Sequence, residues 1–366
     1  MSEKKIYCSI QGLRTVAFLF IFIEHCDINS TGCLGVSIFI VMSGFLTGIL
    51  DKNLITQTFE AKINNIFRRV KRLYPLHILT MALAFCVYFL FLKVSKISNS
   101  FKFFLQILFN VGLLQSLIPR SDFYFSFNAV SWYLSTYAII IFLFQFIEPK
   151  LIKLEKRQLI SVSLLAFGIE LVVSFSLLIF ESRGGIIPTN ISDDIVKWIT
   201  YISPFYRLLD YIIGFNCGRL FKLSNLPIAI INIKIISLLQ VIAIIAIPML
   251  QLIYYKGINN PILNSFRYSL LYLPVSIVLV ATSMFDKGFV SRVLSCKAMV
   301  KIGNLSAYAF LIHQLVIVVF KHFGELYEVP DIITYAAALV CTIAFSYTYY
   351  KILNINTKLN EYSFNK

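Results

Sequence analysis

Residues 12–25 of the chain read GLRTVAFLFIFIEH, and residues 35–46 read GVSIFIVMSGFL. Together with the residues beside them, they form two apolar runs near the ~20 residues that a helix needs to cross hydrocarbon. The first run opens with Arg14 and closes with His25, eleven positions later. At about 100° and 1.5 Å per residue, eleven steps make roughly three turns plus 20° and about 16 Å of rise. We therefore expect both side chains on one face of a membrane helix, at different depths.

Apolar runs of this kind recur along the whole chain. Its 366 residues are 58% hydrophobic and only 14% charged, a composition that could not solvate the surface of a soluble domain of this size. The pattern predicts an all-α, polytopic membrane bundle that forms a single domain over residues 1–366, without a separate soluble domain. The first run has no small-residue cleavage site and a second span follows at once, so we expect it to be retained as a helix.

Ten segments are predicted to span the membrane, and an eleventh apolar stretch is not. The predicted spans are 10–27, 33–50, 73–93, 131–148, 158–180, 199–221, 230–254, 268–285, 302–321 and 332–353. The stretch 103–118 is short and contains Gln106, Asn110 and Gln115, which favours a re-entrant or interfacial helix. Ten spans leave both termini in the cytoplasm and place most Lys and Arg in cytoplasmic loops, as the positive-inside rule requires.

The net charge of +15 does not indicate nucleic-acid binding, because the basic residues fall in alternate loops rather than in one patch. The seven cysteines include no CxxC pair and no Cys/His cluster, so no metal site is predicted. Cys26 and Cys33 flank the first outer loop, where they are either a disulfide or two ordinary buried thiols. The chain has no GxSxG, HExxH or Walker-type glycine motif, which excludes the hydrolase classes that depend on them.

Arg14 and His25 are the first candidates for chemistry, because polar groups in an apolar span are costly and need partners or a function. Taken singly, Arg14 has an ordinary explanation as a positive-inside anchor. His25 likewise has one as a core histidine bonded to a neighbour. As a pair on one face, they suggest an anion contact near the inner leaflet and a proton-transfer group deeper in the membrane.

A second group of candidates is basic, and a third is polar. The basic group lies at the end of the predicted inner loop 51–72 and comprises Arg68, Arg69, Lys71 and Arg72. It suits phosphate binding, although basic inner loops also serve topology. The polar group comprises Ser43, Trp132, Tyr137, Arg207, Asp210 and His313, all inside predicted spans. Arg207 and Asp210, at i and i+3, most simply neutralise each other.

These residues stand in segments that resemble the membrane acyltransferases of acyltransferase family 3. The segments are Gly12-Leu13-Arg14 with His25, residues 35–46, Arg69 to Pro75, Ser203 to Gly214, and Gly303 to His313. Five such motifs in order cover almost the whole chain. There are two departures: Ile38 stands where the family often has Phe, and Tyr137 stands where it often has Glu. No role can be carried over from that acid.

The resemblance implies that the chain is an O-acyltransferase of a bacterial inner membrane. It implies acetyl-CoA as a donor arriving from the cytoplasm and an acceptor hydroxyl on a lipid-linked or surface glycan, such as O-antigen or capsule. No permanently bound cofactor is implied, and the oligomeric state stays open.

Residue by residue, the family pattern implies that Arg69 and Arg72 contact the phosphates of coenzyme A and that Arg14 holds the donor further along. His25 would act as a general base or as a transient acyl carrier. The residues expected to line the substrate cavity are Ser43, Trp132, Arg207, Asp210 and His313. The alternative from another class is a transporter or flippase of a lipid-linked or anionic solute, with the same charges used for binding.

Overall fold

The computed structural model describes residues 7–50, 58–92, 100–182, 194–224, 232–258 and 264–364. These residues form fourteen α-helices and no strand. In chain order the helices are α1 (Cys8–His25), α2 (Gly32–Ile49), α3 (Phe59–Val70), α4 (Tyr74–Phe85), α5 (Ser100–Val111), α6 (Ser121–Tyr124), α7 (Trp132–Leu151), α8 (Lys156–Ser182), α9 (Pro204–Ser224), α10 (Ile233–Ile258), α11 (Ser269–Ser283), α12 (Phe289–Leu294), α13 (Lys297–Leu326) and α14 (Asp331–Phe364). Short π-helical turns continue α4 as Cys86–Phe91 and precede α9 as Trp198–Ile202. The predicted all-α, polytopic fold is confirmed.

By length and composition, six helices in the described ranges can cross a membrane, or seven if the bent pair α3–α4 counts as one span. The six are α2, α7, α8, α10, α13 and α14. The other three predicted spans fall on α1, on α9 and on α11, which has 15 residues. Polar side chains such as Arg14 and Asp210 make α1 and α9 less apolar. The count of ten spans therefore stays a prediction.

Two segments that are not predicted to span the membrane, 51–72 and 103–118, each contain a helix. The predicted inner loop 51–72 contains α3, whose N-cap Thr58 accepts a hydrogen bond from the Ala61 amide at 3.3 Å. α3 and the extended α4 meet at an angle of 62°. The stretch 103–118 forms the 12-residue α5 and a 3₁₀ turn. At 1.5 Å per residue α5 is about 18 Å long, which is too short to cross about 30 Å of hydrocarbon.

Helix α2 lies at the centre of the bundle, and α8 and α10 lie at its edge. About 78% of α2 is buried inside the protein, against 17% of α8 and of α10, so the outer two present most of their apolar surface to lipid. Gly44 and Gly48 of α2 face Gly214 and Gly218 of α9. A Cβ at any of the four would overlap the backbone of the other helix. Small residues at this spacing let two membrane helices approach closely.

Contacts between distant parts of the chain define two ends of the bundle. At the first, Ser9 at the start of α1 bonds to Asp286 after α11, and Thr15 donates to the Met299 carbonyl at the start of α13, at 2.6 Å. We call this the basic end, because Arg69 and Arg72 also lie there. At the opposite end Lys321 and Asp27 form an ion pair at 2.9 Å. The loops between predicted spans at 183–193 and 225–231 lie outside the described residues.

Candidate active site

Two histidines from distant parts of the chain meet where α1 packs against α13. His25 closes α1, and His313 is fully buried within α13. Their ring centroids are 4.9 Å apart in an edge-to-face arrangement, and His313 Nε2 lies 3.5 Å from His25 Nδ1. The packing of α13 on α1 therefore brings together two residues that lie 288 positions apart.

The hydrogen bonds of the pair assign its tautomers. His25 Nδ1 is 2.8 Å from the Ile21 carbonyl oxygen, and His313 Nδ1 is 2.8 Å from the Phe310 carbonyl oxygen. Since a carbonyl only accepts, both Nδ1 atoms carry the proton. His313 Nε2 can then accept weakly from His25 Nδ1–H, and His25 Nε2 is left as an acceptor. An imidazole in this tautomer can take a proton from a hydroxyl.

A cavity of about 190 Å³ opens near the basic end of the bundle, and we call it the basic cavity. It is lined from α1, α2, the α3–α4 bend, α7 and α13 by Arg14, Phe39, Met42, Ser43, Arg69, Leu73, Tyr133, Leu134, Tyr137, Ser306, Ala307, Phe310 and Leu311. Two guanidinium groups are among these residues and no carboxylate is. Two cations without a carboxylate favour the binding of an anion.

Arg69 is held at the cavity by neutral partners. Its Nη1 donates to Thr47 Oγ1 at 3.4 Å, and Tyr137 and Tyr211 also contact the guanidinium. Its Nε is buried and has no hydrogen-bond partner among the described residues. Arg14 donates to Gln11 Oε1 at 3.4 Å. Neither arginine forms an ion pair in the described part of the chain, so both retain charge for a ligand.

The structure separates Arg72 from Arg69. α3 ends at Val70, and Arg72 lies exposed in the turn before α4. The chain bends by 62° between α3 and α4, and Pro75, which has no N–H to donate, stands in the first turn of α4. Arg72 is close enough to Tyr308 to interact with it electrostatically, which places it beside the cavity rather than in its lining.

Five residues are expected to line the substrate cavity. Of these, Ser43 lines the basic cavity, and the other four are not among the residues of its lining. Ser43 donates to the Phe39 carbonyl at 2.7 Å. Trp132 is buried against Tyr201, with ring centroids 4.9 Å apart. His313 belongs to the histidine pair.

Arg207 and Asp210 form a fully buried ion pair at 2.6 Å in a separate cluster. Asp210 Oδ2 also accepts from Ser269 at 2.6 Å, and Arg207 donates to Ser37 at 3.3 Å. Glu170 of α8, which is absent from the predicted site residues, is fully buried against Asp210. The cluster ties α2, α8, α9 and α11 together. A lone acid within an apolar span was a readable signal for Glu170.

The ring of Phe310 lies between the basic cavity and the histidine pair. Phe310 lines the cavity, and its ring centroid is 5.8 Å from that of His313, 5.1 Å from that of Tyr133 and 6.4 Å from that of Phe39. Neither histidine is part of the cavity lining. No signal in the sequence distinguished Phe310 and Tyr133 from the many other aromatic residues.

Glu24, which precedes His25, has a structural role. Its Oε2 accepts a hydrogen bond from the Gly32 amide at 2.6 Å, at the first residue of α2. A carboxylate is stabilising there, because the N-terminus of a helix carries a partial positive charge and free N–H groups. Glu24 thus fixes the end of α1, and with it His25, to the start of α2. Cys26 and Cys33 nearby are both buried free thiols.

Comparison with known proteins matches the chain to one family model. The model described as "Acyltransferase domain" covers residues 8–351. No curated protein and no solved structure matches the chain. The matched region includes the histidine pair and every residue of the basic cavity.

Proposed function

Because the chain belongs to the acyltransferase family whose model matches residues 8–351, and is thus a membrane acyltransferase, we propose that it is an O-acetyltransferase. The donor is acetyl-CoA, which reaches the basic cavity from the cytoplasm. The acceptor is a hydroxyl of a lipid-linked or surface polysaccharide such as O-antigen or capsule. The membrane is the bacterial inner membrane, and the basic end faces the cytoplasm together with both termini.

The observation that carries the donor assignment is the pair of arginines without acidic partners. Arg14 and Arg69 come from different helices, line one cavity and make only neutral contacts among the described residues. The phosphates of coenzyme A would supply the missing charge and satisfy the buried Nε of Arg69. Arg72, exposed beside the cavity, would meet the donor only at its entrance.

The histidine pair supports the chemistry proposed for the thioester. His25 lies eleven residues beyond Arg14 on the same helix, about 16 Å away along its axis. The ring of Phe310 lies between the basic cavity and the histidine pair, so the pantetheine arm would have to displace that ring to bring the thioester to the imidazole. His25 Nε2 takes the proton of the acceptor hydroxyl, while the oxygen of that hydroxyl forms a bond to the acetyl carbon of the thioester. The C–S bond then breaks, and the imidazolium returns the proton to the thiolate of coenzyme A.

Replacing His25 by Ala tests this function. In membranes supplied with radiolabelled acetyl-CoA and glycan acceptor, we expect the rate of transfer to fall by about 10²–10⁴, the usual contribution of a general base. Coenzyme A binding should be retained, because the basic cavity is untouched. His322→Ala is the matched control, since His322 lies on α13 but outside the pair. A His25→Ala protein with normal transfer would exclude the mechanism.

A further inference from the structure

A second, larger cavity of about 680 Å³ lies at the opposite end of the bundle, between α1, α13 and α14. We call it the amphipathic groove, because its lining changes from charged to apolar. The charged members are Asp27, Lys321, Glu325 and Asp331, and the apolar members include Phe22 and Leu339.

The polarity of the groove changes with depth. Along α1 and the turn after it the lining runs from Leu19 to Asp27 and Ile28, and along α14 it runs from Leu339 to Asp331. The stretch on α14 spans eight steps, or about 12 Å of helix. On both sides the charged residue lies at the outer end of the groove, and most of the apolar residues lie deeper in the membrane. A groove of this form matches a ligand with a polar head and a hydrocarbon chain.

The groove and the basic cavity approach the same histidine from opposite sides. The ring of Phe22, which lines the groove, has its centroid 6.3 Å from that of His313. The ring of Phe310, which lines the basic cavity, has its centroid 5.8 Å from it. His25 is followed directly by Cys26, another residue of the groove lining. The charged, outer part of the groove is thus the part nearest to His25 along α1.

We propose that the amphipathic groove binds the acceptor, and that the acceptor is an amphiphile: a glycan headgroup carried on a long hydrocarbon chain. This inference rests on the proposed function. The chain lies against the apolar residues between α1 and α14, where burial of its methylene groups contributes affinity. The outer sugars of the headgroup donate to the carboxylates of Glu325 and Asp331. Glu325 lies twelve residues beyond His313 on α13, about 18 Å along the helix axis, so the headgroup has to extend inward from these contacts to bring a hydroxyl to His25. Asp27 already pairs with Lys321 at 2.9 Å.

The carboxylates also set the kind of headgroup. Three acids and one lysine line the groove, so its outer part is negative overall and favours an uncharged, hydroxyl-rich headgroup over an anionic one. A free polysaccharide could use this outer part but not the apolar depth. The lipid-linked form therefore gains affinity that a lipid-free glycan of the same sequence lacks.

Ala336→Trp tests the apolar part of the groove. Ala336 lines it and is exposed, so the indole fills the groove without entering the core. The matched control is Ala344→Trp on the same helix, because Ala344 is also exposed but lies outside the groove and about 12 Å deeper. With purified protein and a fluorescent polyprenyl-linked oligosaccharide, Ala336→Trp should weaken binding by at least about tenfold. Ala344→Trp should bind as the unsubstituted protein does.

A second variant, Glu325→Gln combined with Asp331→Asn, tests the headgroup contacts. It should raise the apparent KM for the acceptor several-fold and leave the KM for acetyl-CoA unchanged. The double variant keeps the size of both side chains. Thermal stability in detergent, measured for every variant, detects any misfolding.

Three results would overturn the proposal. The first is that the protein binds lipid-linked and lipid-free oligosaccharide with equal affinity. The second is that the Ala336→Trp variant binds the glycolipid as tightly as the unsubstituted protein does. The third is that the double variant has an unchanged KM for the acceptor. The binding measurement does not depend on catalysis. If the unsubstituted protein binds the glycolipid in the groove but transfers no acetyl group, the function proposed above is wrong while the binding site stands.

Discussion

At the scale of single residues, His313 is expected to act through His25. Its Nε2 faces His25 Nδ1–H at 3.5 Å and supports the tautomer that leaves His25 Nε2 free. His313→Leu should lower kcat several-fold, because it removes the weak second acceptor of His25 Nδ1–H while the Ile21 carbonyl still holds that proton, with little change in the KM for acetyl-CoA. His313→Gln should recover part of kcat, because its amide oxygen can accept the same proton. Equal losses in both variants would indicate a packing role only.

The two arginines of the α3–α4 bend should differ in their effects. Arg69→Ala should raise the KM for acetyl-CoA by about tenfold or more. Arg69 lines the basic cavity, where its guanidinium would donate charge-assisted hydrogen bonds to the phosphates of the donor. Arg72→Ala should change the same KM by less than about threefold, because contacts of exposed charges are weak. Initial rates over a range of acetyl-CoA concentrations measure both. A larger effect of Arg72→Ala than of Arg69→Ala would mean that the donor binds at the exposed surface of the α3–α4 turn and not in the basic cavity.

Part of the site was predictable from the sequence, and part was not. The spacing of Arg14 and His25 depends only on helix geometry, so a single sequence suffices to place them on one helix. The contact between His25 and His313 depends on how α13 packs against α1, which no local pattern encodes. The separation of Arg72 from Arg69 depends on where α3 ends, and Pro75 was the readable signal for that boundary.

At the scale of helices, the glycines between α2 and α9 should determine stability. A Cβ at Gly44 would overlap the backbone at Tyr211, so Gly44→Ala should force the two helices apart. We expect a Tm in detergent lower by several degrees and a loss of folded protein. Gly168→Ala on α8 is the control, because nothing lies within 4 Å of its added Cβ. It should be neutral or slightly stabilising, since Ala is the better helix former. Equal Tm values for the Gly44→Ala and Gly168→Ala variants would contradict the close approach of α2 and α9.

The helices themselves were largely predictable, because ten apolar segments at membrane length each coincide with an observed helix. The sequence predicts a loop where α3 forms, because the apolar residues of this segment are interleaved with charged ones. Its cap Thr58 and the acid Glu60 in its first turn were nevertheless readable start signals. The spacing Gly44-x₃-Gly48 and Gly214-x₃-Gly218 was also readable, but which two helices it joins was not.

At the scale of the whole molecule, the proposed topology predicts which end is reached from each side of the membrane. Cys296 is exposed at the basic end, and Tyr327 is 70% exposed at the opposite end. With Cys8 and Cys86 both replaced by Ser, a membrane-impermeant maleimide should label Cys296 in inside-out vesicles only. The Tyr327→Cys variant, with Cys296 also replaced by Ser, should be labelled in right-side-out vesicles only. The opposite result would place the basic end outside the cytoplasm.

The aromatic rings around His313 have a consequence for the membrane as an insulator. Phe18, Phe22 and Phe310 all place a ring within 6.3 Å of His313, measured between centroids. Two aqueous vestibules that met at a pair of imidazoles would conduct protons and discharge the ion gradient, because imidazole both accepts and releases protons near neutral pH. The rings place apolar surface against His313, so we expect no continuous file of water through the pair. An enzyme with the function proposed above would then transfer its acyl group across the membrane while the bilayer stays electrically tight.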